Sequence, residues 1–95
     1  MLNDTIRNII DVLKGEGTEL EKKGVNVALT NPNEISTHVI ELIKAGPLGP
    51  LMRDNPTPMI IAARELQREL FEKPEAGTPH QRIVALGVLM NFGCC

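Results

Sequence analysis

The sequence predicts an all-α protein, a small single-domain bundle of four to five short helices that spans residues 1–95. Apolar residues recur at intervals of three and four, the spacing that places them on one side of a helix. Residues that favour helix N-termini, followed at several points by proline, divide the chain into segments of helical length. Only two residues are aromatic, so the expected core is built from aliphatic side chains.

The first predicted helix spans residues 4–14. Asn3 or Asp4 provides the capping oxygen at its start, and Gly15 and Gly17 are expected to end it. Its apolar side has the spacing i, i+3, i+4, i+7 and consists of Ile6, Ile9, Ile10 and Leu13.

A second helix is predicted over residues 18–29, because Thr18 and Glu21 have the spacing of a capping box. The second half of this segment has two interpretations. Leu20, Gly24, Val27 and Ala28 fit one helical face, yet Val25, Val27 and Leu29 alternate as the residues of a strand would. Helix is favoured, because the chain offers no obvious partner strand.

The third predicted helix spans residues 33–45, capped by Asn31 or Asn33 after the break at Pro32. Gly46 and the proline that follows it prevent continuation of the helix. The apolar face of this helix consists of Ile35, Val39, Leu42 and Ile43.

Residues 46–50 are too short and too apolar for a flexible linker, so we expect a packed turn with a short helical turn over residues 48–52. A fourth helix is predicted over residues 57–72, with Thr57 as its cap and Pro58 in its first position. The core-facing side of this helix consists of Met59, Ala62, Ala63, Leu66 and Leu70.

The last predicted helix spans residues 79–92, with Thr78 as its cap and Pro79 in its first position. Every residue in 83–90 is apolar or glycine. A helix that is apolar on all sides must be buried on all sides. Either this helix is central to the domain, or a second copy of the chain covers its outer face.

Of these two explanations the sequence favours the second, because a small domain has little material with which to surround one helix. One face of the helix carries Ile83, Leu86, Leu89 and Met90, and we expect the domain to cover that face. The opposite side would then form the contact of a homo-oligomer, most simply a two-fold dimer, through Val84, Val88 and Phe92.

Composition excludes several classes of protein. The formal net charge of −2 argues against a broad nucleic-acid footprint. No apolar run is long enough for a membrane span, and the charged residues Asp4, Arg7 and Asp11 argue against a secretory leader, so the predicted location is the cytoplasm. The only cysteines, Cys94 and Cys95, are adjacent and cannot staple the fold.

No catalytic or metal-binding set is visible in the sequence. His38 and His80 are far apart, lack a third ligand at a suitable spacing, and are interpreted as a boundary and a surface histidine. Ser36, the single serine, has no nucleophile motif around it. We therefore predict no enzymatic activity, no cofactor and no metal.

The functional hypothesis is a small interaction module, that is, an adaptor, inhibitor or regulatory subunit that acts as a homo-oligomer and binds a protein partner. Arginine mixed with apolar residues is a composition enriched at protein interfaces. On the fourth helix, the predicted partner-binding residues are Ile60, Ile61, Arg64, Arg68 and Phe71. The alternative hypothesis is a nucleic-acid or nucleotide binder that uses Arg64, Arg68 and Arg82.

Overall fold

The computed structural model describes residues 3–27 and 31–93, and all regular secondary structure within these ranges is helical. The prediction of an all-α bundle is therefore confirmed. A single 3₁₀ turn, Pro74–Ala76, lies between the last two α-helices of the described ranges. The α-helices are α1 (Asp4–Lys22), α2 (Pro32–Lys44), α3 (Gly49–Asp54), α4 (Thr57–Glu72) and α5 (Pro79–Asn91).

Helix α1 is one long helix, so the predicted break at Gly15 and Gly17 is wrong. The predicted capping box is also absent, because the Thr18 hydroxyl donates a hydrogen bond back to the carbonyl of Lys14, 3.3 Å away, within the helix. The helix continues because Leu20 extends its buried face by two turns and is fully buried. That burial outweighs the roughly 1 kcal/mol that each glycine costs a helix.

The prediction of a second helix over residues 18–29 is also wrong, since residues 18–22 belong to α1 and the chain leaves the helix after Lys22. Lys23 forms the C-cap, and Gly24 follows with a φ of 73°, a backbone conformation that favours glycine. Residues 25–27 form neither helix nor strand. The rest of the segment that had two interpretations, residues 28–30, lies outside the described residues.

The other boundaries agree with prediction to within one or two residues, with one exception in capping. Asn31 caps α2 by accepting a hydrogen bond from the backbone N–H of Asn33 at 2.8 Å. Thr57, however, is the first residue of α4 rather than its cap, and Pro56 occupies the cap position without a side-chain hydrogen bond. Thr78 caps α5 as predicted.

Helix α5 lies at the centre of the bundle, where it contacts α1, α2 and α4. Val84 and Val88 are fully buried within the single chain. The structure therefore leaves neither valine for a second copy to cover, which corrects the predicted oligomer interface. Phe92 forms the C-cap of α5 and is a half-buried residue that packs against the core. Of the two explanations for the apolar sequence of α5, the central position is the one that the fold shows.

Close approach between helices makes this central position possible. Gly87 of α5 faces α2, where a Cβ at the glycine would lie 3.0 Å from the Cβ of Val39. The Ser36 hydroxyl also donates a hydrogen bond to the Gly87 carbonyl, 3.2 Å away. Gly17 of α1 is similarly close to α5, since its Cβ would lie 2.8 Å from Cγ and 2.9 Å from Cα of Gln81.

We expect Gly17→Ala and Gly15→Ala to change stability in opposite directions. Gln81 cannot move away from a new methyl group, because it is held in the capping box of α5 by hydrogen bonds in both directions with Thr78. Gly17→Ala should therefore cost about 1–3 kcal/mol of unfolding free energy. Gly15 is exposed with no atom near its missing Cβ, so Gly15→Ala should add about 0.5–1 kcal/mol.

Urea denaturation of both variants beside the parent protein measures this difference. Both substitutions raise helix propensity equally, so propensity cancels between them. Equal shifts for the two variants would show that α1 and α5 are not in close contact at Gly17.

Candidate functional site

An apolar groove lies along the side of α5 that the other helices leave uncovered. It has a volume of about 370 Å³. Helix α5 contributes Arg82, Ile83 and Leu86, and both apolar side chains are only half-buried. The opposite wall is formed by Gln67, Leu70 and Phe71 of α4, and Pro74 closes one end. We call this feature, lined by these seven residues, the α4–α5 groove.

Phe71 is the most unusual residue of this site. Its side chain is 86% exposed, although phenylalanine is among the residues most often buried. Ile61 is the other exposed large apolar residue in the described ranges, at 45%. Ile60 lies eleven residues before Phe71, about three helical turns, and so occupies the same side of α4. Ile60 is half-buried and packs against the core.

The two sides of the solvent-facing surface of α4 carry different residues. On the side towards α1, Glu69 forms an ion pair with Lys14, whose Nζ lies 3.5 Å from the carboxylate. The side towards α5 carries Gln67 and Phe71, which line the groove. Arg64 lies beside them, in a shallow depression that Phe71 shares.

The three arginines of the alternative hypothesis differ in their contacts. Arg68 forms ion pairs with Glu65 and with Glu72, the latter at 3.3 Å. Arg82 donates a hydrogen bond to the carbonyl of Pro74, 3.2 Å away, at the end of the groove. Arg64 makes no hydrogen bond or ion pair with the residues that the structure describes. The structure therefore leaves one of the three guanidinium groups without a protein partner in the described ranges.

The two histidines lie apart from the groove. His38 is exposed on α2. The sequence predicts His80 at the surface, but in the structure it is half-buried. Its Nε2 lies 2.7 Å from the carbonyl oxygen of Val25, a contact that links α5 to the segment after α1. Its Nδ1 is buried without a hydrogen-bond partner. This histidine fastens the connection between two helices.

Clusters that could do chemistry are sparse in the described part of the chain. No group of three His, Cys, Asp or Glu residues there is arranged to hold a metal ion. Burial raises the pKa of the Glu16 carboxyl above its ordinary value; Glu19 raises it further and Lys23 lowers it. Glu16 lies on α1, where its carboxylate is close to Gly46 in the turn after α2, and it is not among the residues that line the groove. Cys94 and Cys95 lie outside the described residues.

The structure brings only part of the predicted partner-binding set into one site. Phe71 lines the groove and Arg64 and Arg68 flank it, while Ile61 lies farther round α4, outside the groove lining. Sequence reasoning missed the wall formed by Ile83 and Leu86, which it assigned to the domain core. The available signal was that α5 is apolar on all sides and that a small domain has little material with which to cover every side.

Comparison of the chain with protein-family models, with characterised proteins and with solved structures finds no match. Within residues 3–27 and 31–93, no helix combines the length and apolar character that crossing a membrane requires.

Proposed function

We propose that this chain is a small, non-enzymatic protein-interaction module that binds its partner through the α4–α5 groove. The observation that carries the proposal is the uncovered apolar side of the central helix α5, with the exposed Phe71 at its edge. An exposed apolar surface of this kind is typical of a binding site. Aromatic residues, including phenylalanine, and arginine are enriched at protein interfaces relative to the rest of the surface.

The contacts of the arginines favour this function over phosphate binding. The charge of Arg68 is balanced by two carboxylates, which a phosphate would have to displace. Affinity for nucleic acid depends on several phosphate contacts, and each requires an available cation. Of the three arginines, Arg64 and Arg82 have no carboxylate partner in the described ranges, which is fewer cations than a nucleic-acid surface commonly uses, whereas the groove is lined mainly by apolar residues.

The same groove is the surface on which a homo-oligomer would form. Val84 and Val88 lie in the core of the single chain, so self-association cannot use them without unfolding the domain. Ile83, Leu86 and Phe71 remain accessible at the groove. Self-association is therefore tested by dilution of the protein alone in the NMR experiment of the next subsection.

We expect Phe71→Ser to weaken binding about thirtyfold while leaving the fold intact. Because the side chain is 86% exposed, the substitution should change the unfolding free energy by no more than about 0.5 kcal/mol. Truncation of an aromatic anchor commonly costs about 2 kcal/mol or more of binding free energy, roughly a thirtyfold loss of affinity. Immobilised protein would be used to capture partners from cells that express it, and each captured protein would then be measured with purified components.

Ile61→Ser provides the matched control, because it removes the other exposed apolar side chain of the same helix outside the groove. It should retain the partner that Phe71→Ser loses. Capture that is equal for the parent and for Phe71→Ser would contradict the proposal. Recovery of nucleic acid alone, lost at high salt and after Arg64→Ala, would instead support the alternative hypothesis.

A further inference from the structure

We infer that the occupant of the α4–α5 groove is an acidic amphipathic helix of another protein, with two apolar anchor residues spaced one turn apart. This inference rests on the proposed function and names the chemistry of the partner. The dimensions of the groove and the charge of its rim both favour this occupant.

The dimensions of the groove set the number of anchors. One wall runs from Gln67 to Phe71 and the other from Arg82 to Leu86, so the two ends of each wall are residues i and i+4 of a helix. Four residues of α-helix rise about 6 Å. Residues i and i+4 on a partner helix are separated by the same rise, and helices that bind in grooves use anchors at this spacing. The groove therefore accepts two neighbouring anchors of one short helix.

The rim of the groove is basic, although the chain as a whole has a formal net charge of −2. None of the described residues that line it is acidic, and Arg82 is the charged member of the lining. Arg64 lies beside Phe71 without a partner in the described ranges. Glu65 and Glu72 are directed to Arg68. Carboxylates that flank the anchors of the partner would meet Arg64 and Arg82 and complement their charge.

A second copy of the chain fits the same surface less well. Two copies related by a two-fold axis through the groove would bring both Arg64 side chains and both Arg82 side chains to one interface. Like charges placed opposite each other oppose association. A nucleic acid would satisfy the arginines but would leave Phe71, Ile83 and Leu86 without apolar contacts. An acidic helix with apolar anchors satisfies both requirements.

The test uses the full chain and three synthetic helical peptides, which are equal to one another in length. Binding of each peptide is measured by ¹H–¹⁵N NMR. The first peptide carries leucine at i and i+4, flanked by glutamates. The second has lysine in place of every glutamate, and the third has alanine in place of both leucines. We expect the acidic leucine peptide to shift the amide signals of residues 67–71 and 82–86. Binding of the lysine peptide should be about five- to tenfold weaker, because Arg64 and Arg82 would then each face a positive charge in place of a negative one.

A charge reversal on the protein sharpens the test. Arg64→Glu should lower the affinity for the acidic peptide and raise the affinity for the lysine peptide, because it replaces a positive charge at the rim with a negative one. Arg64 is exposed, so its replacement leaves the apolar lining intact. Arg53→Glu on α3 is the matched control, since Arg53 is also an exposed arginine and lies outside the groove. It should leave the preference between the two peptides unchanged.

Several outcomes would overturn the inference. Equal binding of the acidic and lysine peptides would remove the role of charge, and equal binding of the alanine peptide would remove the role of the anchors. Groove signals that shift on dilution of the protein alone would identify a second copy as the occupant. If no peptide shifts the groove signals while capture still depends on Phe71, the partner chemistry is wrong and the proposed function stands. If capture is also independent of Phe71, the proposed function fails as well.

Discussion

Val88→Glu is expected to unfold the protein rather than to dissociate an oligomer. Val88 is fully buried in α5, between the helices that surround it. Burial of an unpaired carboxylate costs several kcal/mol even when the group neutralises itself by taking up a proton. The total stability expected for a chain of 95 residues is about 5–14 kcal/mol. A circular dichroism melt of the variant should therefore show little cooperative helical structure at 25 °C.

Ile61→Glu is the control for this substitution, because it introduces the same charge at an apolar residue that is 45% exposed. Its melt should stay close to that of the parent protein. Sedimentation of all three proteins completes the experiment. If Val88→Glu remained folded and only lowered the mass of the particle, Val88 would belong to an interface and the central position of α5 would be wrong.

Leu66→Ala should cost about 2–5 kcal/mol, the usual effect of truncating a fully buried leucine. Leu86→Ala should cost less than half as much. Leu86 is half-buried at the groove, so its truncation leaves a surface that water can reach rather than a closed cavity. On sequence alone, the two leucines are expected to be equivalent core residues.

Urea denaturation of both variants gives the two free energies from one set of conditions. An equal cost for the two leucines would mean that Leu86 is covered in the free protein, as it would be if a second copy filled the groove. An unchanged midpoint for Leu66→Ala would mean that the core face of α4 is misplaced.

Local signals in the sequence determined most of the helices. Asn31 and Thr78 each supply a side-chain oxygen that accepts a backbone N–H, and such a cap acts within three residues of chain. The core-facing residues of α4 also agree with prediction, because their spacing reports one side of a helix. These features depend on neighbours in the sequence, and so they can be read from it.

The end of α1 shows where local signals fail. Two glycines and a possible capping box predict a break, and each is a weak preference of about 1 kcal/mol. Burial of Leu20 and the contact of Gly17 with Gln81 outweigh these preferences. The contact joins residues that are far apart in sequence, so periodicity and capping rules contain no information about it.

At the candidate site too, some features follow from the sequence and others only from the tertiary structure. The sequence by itself determined that α5 is apolar on all sides, and it favoured, without deciding, that a domain of this size leaves part of α5 uncovered. Only the tertiary structure decided that Ile83 and Leu86 remain accessible while Val84 and Val88 do not. The physical reason is that a helical wheel gives the angles between side chains but not the direction from which the other helices approach, and that direction follows from contacts such as the one between Gly87 and α2.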